Sequence, residues 1–421
     1  MHILMGLVGM AVLLSIAVLF STNRKAINLR TIGGALLLQS LIPAFVLLTS
    51  SGASVLKSIS DGVQAVIDSA NAGISFLFGP LVSEKMFELF AGNGFIFALK
   101  VLPVIIFFAA LMSVLYHLNI MQVIIKVFGG GLQKMLGTSR TESMSAAANI
   151  FVGQTEAPLV VKPYIETMTK SELFAIMAGG LASVAGAVLA GYASMGISLN
   201  YLIAASFMAA PGGLLMAKIL VPETEKPNEH LETKIEEEQD KEEEAANVLD
   251  AAAIGASSGL QLAMNVGAML LAFIALIALL NMIIGGIGGL FGHGEITMQM
   301  ILGYLFSPIA YILGIPWTEA IQAGSLLGQK LVINEFVAYV DFIANKDLFS
   351  DHSKAIITVA LCGFANLSSI AILLGGLGVL APSRRQEIAR FGLRAVLAGT
   401  LSNFMSATLV GIFMSINSGV L

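Results

Sequence analysis

Long apolar stretches alternate with short polar ones along the chain, and eight of them approach or exceed the length of a membrane span. A hydrocarbon core about 30 Å thick requires roughly 20 residues of helix. The eight predicted spans are residues 3–20, 32–48, 95–118, 173–195, 201–221, 251–287, 355–380 and 395–416. The pattern therefore predicts an all-α, polytopic membrane protein with eight transmembrane helices.

Other segments have an apolar and a polar face and do not form uniform apolar runs. Residues 55–67 place valine, leucine and isoleucine on one helical face and charged or amide side chains on the other, and residues 120–136 show a similar pattern. Helices of this kind lie in the membrane surface. Residues 76–90 are too charged for a span, and we expect them to form a surface helix.

Two segments have the features of re-entrant helical hairpins. Residues 141–151 and 159–168 are each about half a bilayer long, and the polar sequence GQTEAP at 153–158 separates them. Residues 317–344 form a second predicted hairpin, with Glu335 near its turn. Backbone without helical hydrogen bonds is tolerated at membrane depth only where it is buried in protein or lines an aqueous cavity. Each hairpin tip is therefore a candidate binding site.

The two hairpins begin two units with the same order of elements. In residues 141–221 and 317–416, a hairpin with an acidic tip is followed by an interrupted helix and then by a full span. The interruptions are the glycine-rich segments 179–186 and 363–369. Because the eight spans make the hairpins enter from opposite sides, the units form an inverted repeat. Inverted repeats with broken helices are typical of secondary transporters, whose binding site lies between the repeats near the membrane midplane.

Charge predicts the orientation of the chain. Most basic residues fall on one side if both termini lie outside the cell, in agreement with the positive-inside rule. The first apolar run precedes its flanking basic residues, so we expect a retained membrane anchor and not a signal peptide. Residues 222–246 are rich in Glu and Lys and predict a mobile cytoplasmic loop or a solvated helix. Glu142 and Glu166, at the cytoplasmic mouth of the first hairpin, are expected to be solvated.

Composition excludes several classes of protein. The chain is 57% hydrophobic and only 12% charged, whereas soluble domains contain about 25% charged residues. A net charge of -5, with no basic cluster among aromatic residues, argues against nucleic-acid binding. The one cysteine, Cys362, excludes a disulfide framework. No catalytic triad or HExxH motif is recognisable, which disfavours a membrane enzyme.

Three long sequence words around the hairpin tips and the second interruption resemble the bacterial concentrative nucleoside transporters. These words are SMSAAANIFVGQTEAP at 143–158, NEFVAY at 334–339 and CGFANLSSI at 362–370. The resemblance covers nearly the whole chain and fails mainly in the loop at 222–246. It implies a protein of the bacterial inner membrane that takes up nucleosides such as uridine together with a cation.

The resemblance also implies an assembly and a mechanism. It implies a homotrimer in which a mobile transport domain carries the nucleoside across the membrane like an elevator. The implied scaffold comprises residues 1–136, with spans one to three and the interfacial helices, and residues 251–290, with span six. The transport domain comprises residues 137–221 and 291–421, and residues 222–250 form the acidic cytoplasmic loop.

By position in the matching words, the resemblance assigns binding roles to residues of both repeats. The nucleobase would be bound by Gln154, Thr155 and Glu156, and the ribose hydroxyls by Glu335, Asn366 and Ser369. Phe364, Val188 and Leu262 would pack about the base. The chemistry agrees with these assignments, because a carboxylate can accept hydrogen bonds from two vicinal hydroxyls and an aromatic ring can stack on a base.

The resemblance places the coupling ion between the first hairpin and the fourth span. Its ligands would be the side chains of Asn149 and Ser183 and the main-chain carbonyls of Val152 and Val184. These oxygens do not titrate, which favours sodium. A proton bound by Glu156 is the alternative. A channel, or a transporter of another polar solute such as a nucleobase or an amino acid, also stays open on the residues alone.

Overall fold

The computed structural model describes residues 2–83, 85–90, 95–227 and 245–420, and these residues form helices and connecting loops without any β-strand. Most of the predicted loop at 222–246 lies outside the described residues. The α-helices are α1 (His2–Leu19), α2 (Leu29–Leu48), α3 (Ser50–Phe78), α4 (Lys85–Leu89), α5 (Phe97–Lys100), α6 (Leu102–His117), α7 (Ile120–Leu136), α8 (Arg140–Ala148), α9 (Lys170–Ala182), α10 (Gly186–Ser194), α11 (Leu199–Leu220), α12 (Val248–Gly289), α13 (Met298–Ile312), α14 (Trp317–Val332), α15 (Glu335–Ala344), α16 (Asp351–Leu361), α17 (Ser369–Leu380) and α18 (Arg385–Val420). Within the described ranges, seven helical segments are long and apolar enough to cross a membrane, or eight if a bent pair is counted. The predicted all-α membrane fold is confirmed.

The peripheral helices differ from the predicted surface segments. The segment predicted at 55–67 is part of one continuous 29-residue helix, α3. The prediction of a single helix at 76–90 is wrong, because α3 ends at Gly79, whose φ of +53° breaks the helix, and a 3-10 turn at Gly79–Val82 follows. The predicted helix at 120–136 is present as α7 and ends at Gly137 with φ +67°.

Helices α6 and α12 form a closely packed pair. Two glycines four residues apart on α12, Gly255 and Gly259, face α6, and a Cβ at either position would lie within 3.0 Å of α6 atoms near Ile106 and Ala109. Small residues at this spacing let two membrane helices approach closely. The 42 residues of α12 are about 63 Å long at 1.5 Å per residue, which exceeds the thickness of a bilayer.

Helices α9, α11 and α18 form the buried centre of the molecule. Helices α1 and α2 pack against this centre from one side. The side-chain amide of Gln39 in α2 donates to Ser406 Oγ at 2.8 Å and to the Ser402 carbonyl at 3.3 Å, both in α18. These bonds connect the buried side chain of α2 to α18 in this conformation.

Hairpin 1, residues 140–164, consists of α8 and a 3-10 segment at Ala157–Tyr164. The predicted regular return helix at 159–168 is wrong, because Pro158 and Pro163 lie in this arm and Val161 has non-helical angles of φ -122° and ψ 15°. Proline removes backbone donors and clashes with the preceding turn of an α-helix. The returning arm is therefore irregular.

Buried charges connect the mouth of hairpin 1 to its neighbours. Glu142 in α8 is 2% exposed and pairs with Lys218 of α11 at 2.6 Å, so the expectation of a solvated Glu142 is wrong. Thr141 donates to Glu172 of α9 at 2.9 Å, and Lys218 donates to Ser171 at 2.9 Å. These bonds compensate for the loss of water around the charges. We call this cluster the mouth clamp.

Hairpin 2, residues 317–344, consists of the regular helices α14 and α15, as predicted. Helix α13 lies before it and was not predicted, because its 15 residues are too few for a span. It meets α14 at 116°. Gly324 and Gly328 of α14 face α13, where added Cβ atoms would lie 2.6 to 2.8 Å from their nearest neighbours, so α13 supports the outer side of hairpin 2.

Two of the predicted spans are broken helices. The span at 173–195 consists of α9 and α10, which are separated by residues 183–185, and the span at 355–380 consists of α16 and α17, which are separated by residues 362–368. The order hairpin, broken helix and long helix therefore occurs twice, ending in α11 and in α18. This is the predicted repeat of elements.

Candidate functional site

The tip of hairpin 1 lies in the break between α9 and α10. A Cβ on Gly180 would lie 2.9 Å from Gln154 Cβ, so only glycine in α9 lets the tip approach this closely. The Gly186 amide at the start of α10 donates to the Phe151 carbonyl at 2.9 Å. Gln154 is buried and its side-chain oxygen has no hydrogen-bond partner within the described residues. The tip therefore presents an unused acceptor inside the protein.

Thr155 and Glu156 lie on the exposed side of the same tip. The Glu156 carboxylate accepts from the Gly153 amide at 3.0 Å, which folds the side chain back on its own turn. The Thr155 methyl group lies against α17, where a Cβ on Gly376 would be 2.9 Å away. Hairpin 1 of the first repeat thus contacts the broken helix of the second.

The tip of hairpin 2 presents a buried carboxylate with specific donors. Glu335, at the first turn of α15, accepts from the Tyr192 hydroxyl at 3.0 Å and from the Asn366 side-chain amide at 3.0 Å. The Asn366 side-chain oxygen accepts from the Ser369 amide at 2.9 Å. All of these side chains are buried. The structure therefore brings together the three residues that the sequence resemblance assigned to one group.

Tyr192 was not predicted as a site residue. It lies in α10 four residues after Val188, so both side chains extend from neighbouring turns of one helix face. Its ring also packs at 4.5 Å from that of Tyr339 and at 4.7 Å from that of Phe336, both in α15. The sequence did contain a signal for this residue, since Tyr192 lies in the half-helix that follows the first interruption.

The two helix breaks are hydrogen-bonded to each other. The Phe364 amide, in the second break, donates to the carbonyl of Ser183, in the first, at 3.1 Å. The half-buried Phe364 ring lies near hairpin 1, within 3.9 Å of a Cβ built on Gly153. The residues assigned to a nucleobase and those assigned to a ribose therefore belong to one contiguous region.

A cavity of about 1010 Å³ lies between hairpin 1 and the pair α6 and α12. Four predicted site residues line it: Val152, Thr155, Glu156 and Leu262. Polar residues that were not predicted also line it, among them Tyr116, Gln122, Ser258, Gln261 and Asn265. The last three have spacings of three and four residues, which put them on one face of α12. Val188, Glu335, Asn366 and Ser369 are not among the described residues that line the cavity.

The predicted ion-binding residues lie at the carboxyl end of α9. Asn149 is 1% exposed, and neither its side-chain oxygen nor its nitrogen has a hydrogen-bond partner in the described residues. Ser183 has extended backbone angles, φ -106° and ψ 175°, so its residue leaves the helical ladder. Val152 and Val184 are also buried. Buried polar atoms without partners require an explanation, and a small hard cation that prefers oxygen ligands fits this set.

Comparison with known proteins gives matches along the whole chain. Residues 201–411 match the family described as Na+ dependent nucleoside transporter C-terminus, residues 8–81 match the corresponding N-terminus, and residues 98–199 match a Gate family described as nucleoside recognition. The chain is 56% identical to an uncharacterized transporter of Haemophilus influenzae, over 100% of both chains. It is 52% identical to the nucleoside permease NupC of Helicobacter pylori, over 99% of both.

A mammalian relative and solved structures extend the comparison. Solute carrier family 28 member 3 of Homo sapiens is 37% identical over 97% of this chain and 59% of its own length. CNTnw in an inward-facing substrate-bound state is 60% identical, with a TM-score of 0.94 over 99% of both chains. A CNTnw variant in an outward-facing state gives a TM-score of 0.95 at 60% identity over 99% of this chain and 98% of that one.

Proposed function

This chain belongs to the Na+ dependent nucleoside transporter family, and we propose that it is a sodium-coupled symporter that carries nucleosides such as uridine into the cell. The family consists of transporters and not enzymes. The observation that carries the proposal is the buried Glu335 carboxylate, which accepts from Tyr192 and Asn366. Asn366 belongs to the second helix break, whose Phe364 ring lies near the tip of hairpin 1.

Glu335, Asn366 and Ser369 would bind the ribose. A carboxylate with two oxygens and four lone-pair positions can accept from both vicinal hydroxyls while it keeps a protein donor on each oxygen. Charge-assisted hydrogen bonds of this kind are about twice as strong as neutral ones. A free base without the sugar would leave this carboxylate without those two donors, which supports selection for nucleosides over nucleobases.

Gln154, Thr155 and Glu156 would bind the edge of the nucleobase, directly or through water. The partnerless oxygen of Gln154 and the exposed side chains at 155 and 156 supply donors and acceptors together. Phe364, Val188 and Leu262 would pack about the base. Leu262 differs from the others because it comes from α12, across the cavity.

Sodium would be bound by the side chains of Asn149 and Ser183 and by the carbonyls of Val152 and Val184. Carbonyl groups at the carboxyl end of the half-helix α9 carry a partial negative charge that attracts cations. The unpartnered Asn149 amide at this end supports the assignment. A proton held by Glu156 is the alternative coupling ion, since that carboxylate reaches the cavity.

Transport would proceed by an elevator-type movement in a homotrimer of the bacterial inner membrane, with both chain termini periplasmic. The proposed scaffold is residues 1–136 and 251–290, and the proposed transport domain is residues 137–221 and 291–421. Lys126 and Arg140 line the cavity, and the positive-inside rule puts them at the cytoplasmic side. The arrangement described above would then be open to the cytoplasm.

Uptake of radiolabelled uridine by proteoliposomes tests the proposed function. A sodium gradient imposed at constant pH is expected to drive accumulation, and a choline gradient is not. Excess unlabelled uridine should compete, whereas uracil and ribose added separately should not, because neither reaches both hairpins. Accumulation driven equally by choline with a pH gradient would exclude sodium coupling, and competition by uracil alone would exclude the ribose role of Glu335.

A cross-linking experiment tests the proposed division into domains. Cysteines at Gln39 and Ser406, in a Cys362→Ser background, would join α2 of the proposed scaffold to α18 of the proposed transport domain through a short bifunctional reagent. Transport should stop on cross-linking and return if the linker is cleaved. Full activity of the cross-linked protein would show that α2 moves together with α18 and would move the domain boundary.

A further inference from the structure

A lysine is buried inside the second repeat, and its direct hydrogen-bond acceptors are neutral oxygens. Lys330, in the first arm of hairpin 2, is 1% exposed. Its ammonium donates to the Ala360 carbonyl at 2.7 Å and to the Asn403 side-chain oxygen at 2.7 Å. In the described ranges, no carboxylate oxygen lies within 4 Å of it. The direct partners of the ammonium are therefore neutral oxygens, and the Glu335 carboxylate attracts it from a longer distance.

These oxygens lie at the carboxyl end of a half-helix. Ala360 is in the last turn of α16, just before the second break, where carbonyl groups lack helical partners. The Asn403 amide nitrogen donates to the Cys362 carbonyl at 3.0 Å and to the Ala182 carbonyl at the end of α9 at 2.6 Å. One asparagine of α18 thus contacts the ends of both broken helices.

The first repeat has a neutral residue in similar surroundings. Asn149 lies four residues before Gly153 at the tip of hairpin 1, and Lys330 lies four residues before Asn334 at the tip of hairpin 2. Both lie near the carboxyl end of the half-helix that follows their hairpin. The Asn149 amide has no partner in the part of the chain that the structure describes, whereas the Lys330 ammonium has two.

We propose that Lys330 is a built-in cation, which occupies in the second repeat the position that Na+ would take in the first, so that the second repeat binds no Na+ of its own. This inference rests on the proposed sodium coupling. Half-helix carboxyl ends in transporters bind cations through freed carbonyls, and an ammonium supplies the same single positive charge with directed donors. A buried lysine is costly unless its charge has such partners.

Binding of radiolabelled Na+ to the purified full-length protein, without a requirement for transport, tests the inference. The wild type is expected to bind one Na+ per chain. Lys330→Ala leaves the Ala360 and Asn403 oxygens and a vacated volume, so it should bind two. Lys330→Arg keeps the charge and should bind one, and Lys346→Ala, which removes an exposed lysine of the same repeat, should also bind one.

The outcomes separate this inference from the proposed function. A wild type that binds no Na+ would contradict the proposed coupling ion, whereas a Lys330→Ala chain that binds as many Na+ as the wild type would overturn the built-in cation. If Lys330→Ala does not fold, Lys330→Ala combined with Asn403→Asp supplies a carboxylate for the entering ion. Failure of both variants to fold at any Na+ concentration would also overturn the inference, because Na+ would then be unable to replace the ammonium.

Discussion

The two hairpins have the same topology but differ in how completely their polar groups are paired. Hairpin 1 returns through an irregular 3-10 arm, exposes Thr155 and Glu156 to the cavity and leaves Gln154 and Asn149 with unused polar atoms. Hairpin 2 is built from two regular helices, and its Glu335 has a donor on each oxygen. One half of an inverted repeat can therefore keep unpaired polar atoms available for ligands, while the polar atoms of the other half are hydrogen-bonded to side chains of the protein.

Glu335→Gln should reduce uridine affinity more than the other substitutions, because it removes the negative charge from the tip of hairpin 2. Loss of two charge-assisted bonds to ribose costs about 3 kcal/mol, which is roughly 100-fold in uridine affinity. Uridine uptake and equilibrium binding in proteoliposomes measure this change. Glu295→Gln, which alters an exposed carboxylate, is the control and should be neutral. Wild-type affinity in Glu335→Gln would remove the ribose assignment.

Asn149→Ala tests the unpaired polar atoms of hairpin 1. Loss of the amide oxygen should raise the Na+ concentration for half-maximal uptake by roughly 10- to 100-fold, the range seen when support for a bound ion is lost. The affinity for uridine at saturating Na+ should change much less. Asn345→Ala, at an exposed position directly after hairpin 2, serves as the control. Equal loss of affinity for both ligands would indicate general disruption of hairpin 1.

Tyr192→Phe removes the hydroxyl that donates to Glu335. One oxygen of Glu335 then has no protein donor, so hairpin 2 acquires an unpaired polar atom like those of hairpin 1. The lost bond to a carboxylate is expected to cost about 1.5 kcal/mol, or roughly tenfold in uridine affinity. Na+ dependence should not change. Tyr339→Phe is a matched control, since its hydroxyl donates to the Thr358 carbonyl and not to Glu335. A similar loss in both variants would assign the effect to the removal of any buried hydroxyl and not to the bond with Glu335.

Gln261→Ala should have the smallest effect, roughly threefold or less in uptake rate, because water in the cavity can replace an exposed amide at a cost of about 0.5 kcal/mol. Initial uptake rates at low uridine concentration measure it. Gln64→Ala, on the exposed surface of α3, provides the baseline. A loss as large as that of Tyr192→Phe would mean that the polar face of α12 binds uridine directly.

The sequence predicted the elements whose hydrophobic pattern or glycine content is distinctive. The spans, both hairpins and both interruptions follow from run length and from half-bilayer segments with polar turns. Helix α13 could not be predicted in this way because it is short and depends on packing against α14. The irregular return arm of hairpin 1 was missed because two prolines in ten residues matter more than apolar character.

Prediction of the site from the sequence was limited in the same way, by contacts that depend on packing. Glu335, Asn366 and Ser369 were named together through the resemblance, and their hydrogen-bonded geometry agrees with that grouping. Tyr192 and Asn403 were missed, because each acts across a long separation in the sequence: 143 residues from Tyr192 to Glu335 and 221 from Asn403 to Ala182. Only the packed structure identifies such partners.

The mouth clamp anchors the base of hairpin 1 to two neighbouring helices. Glu142 and Lys218 attach the base to α11, and Thr141 attaches it to α9 through Glu172. Moving the base away from α11 would leave the buried Glu142 carboxylate without the positive charge of Lys218, which is strongly unfavourable inside a protein. We therefore expect hairpin 1, α9 and α11 to move as one rigid unit in any conformational change of the protein.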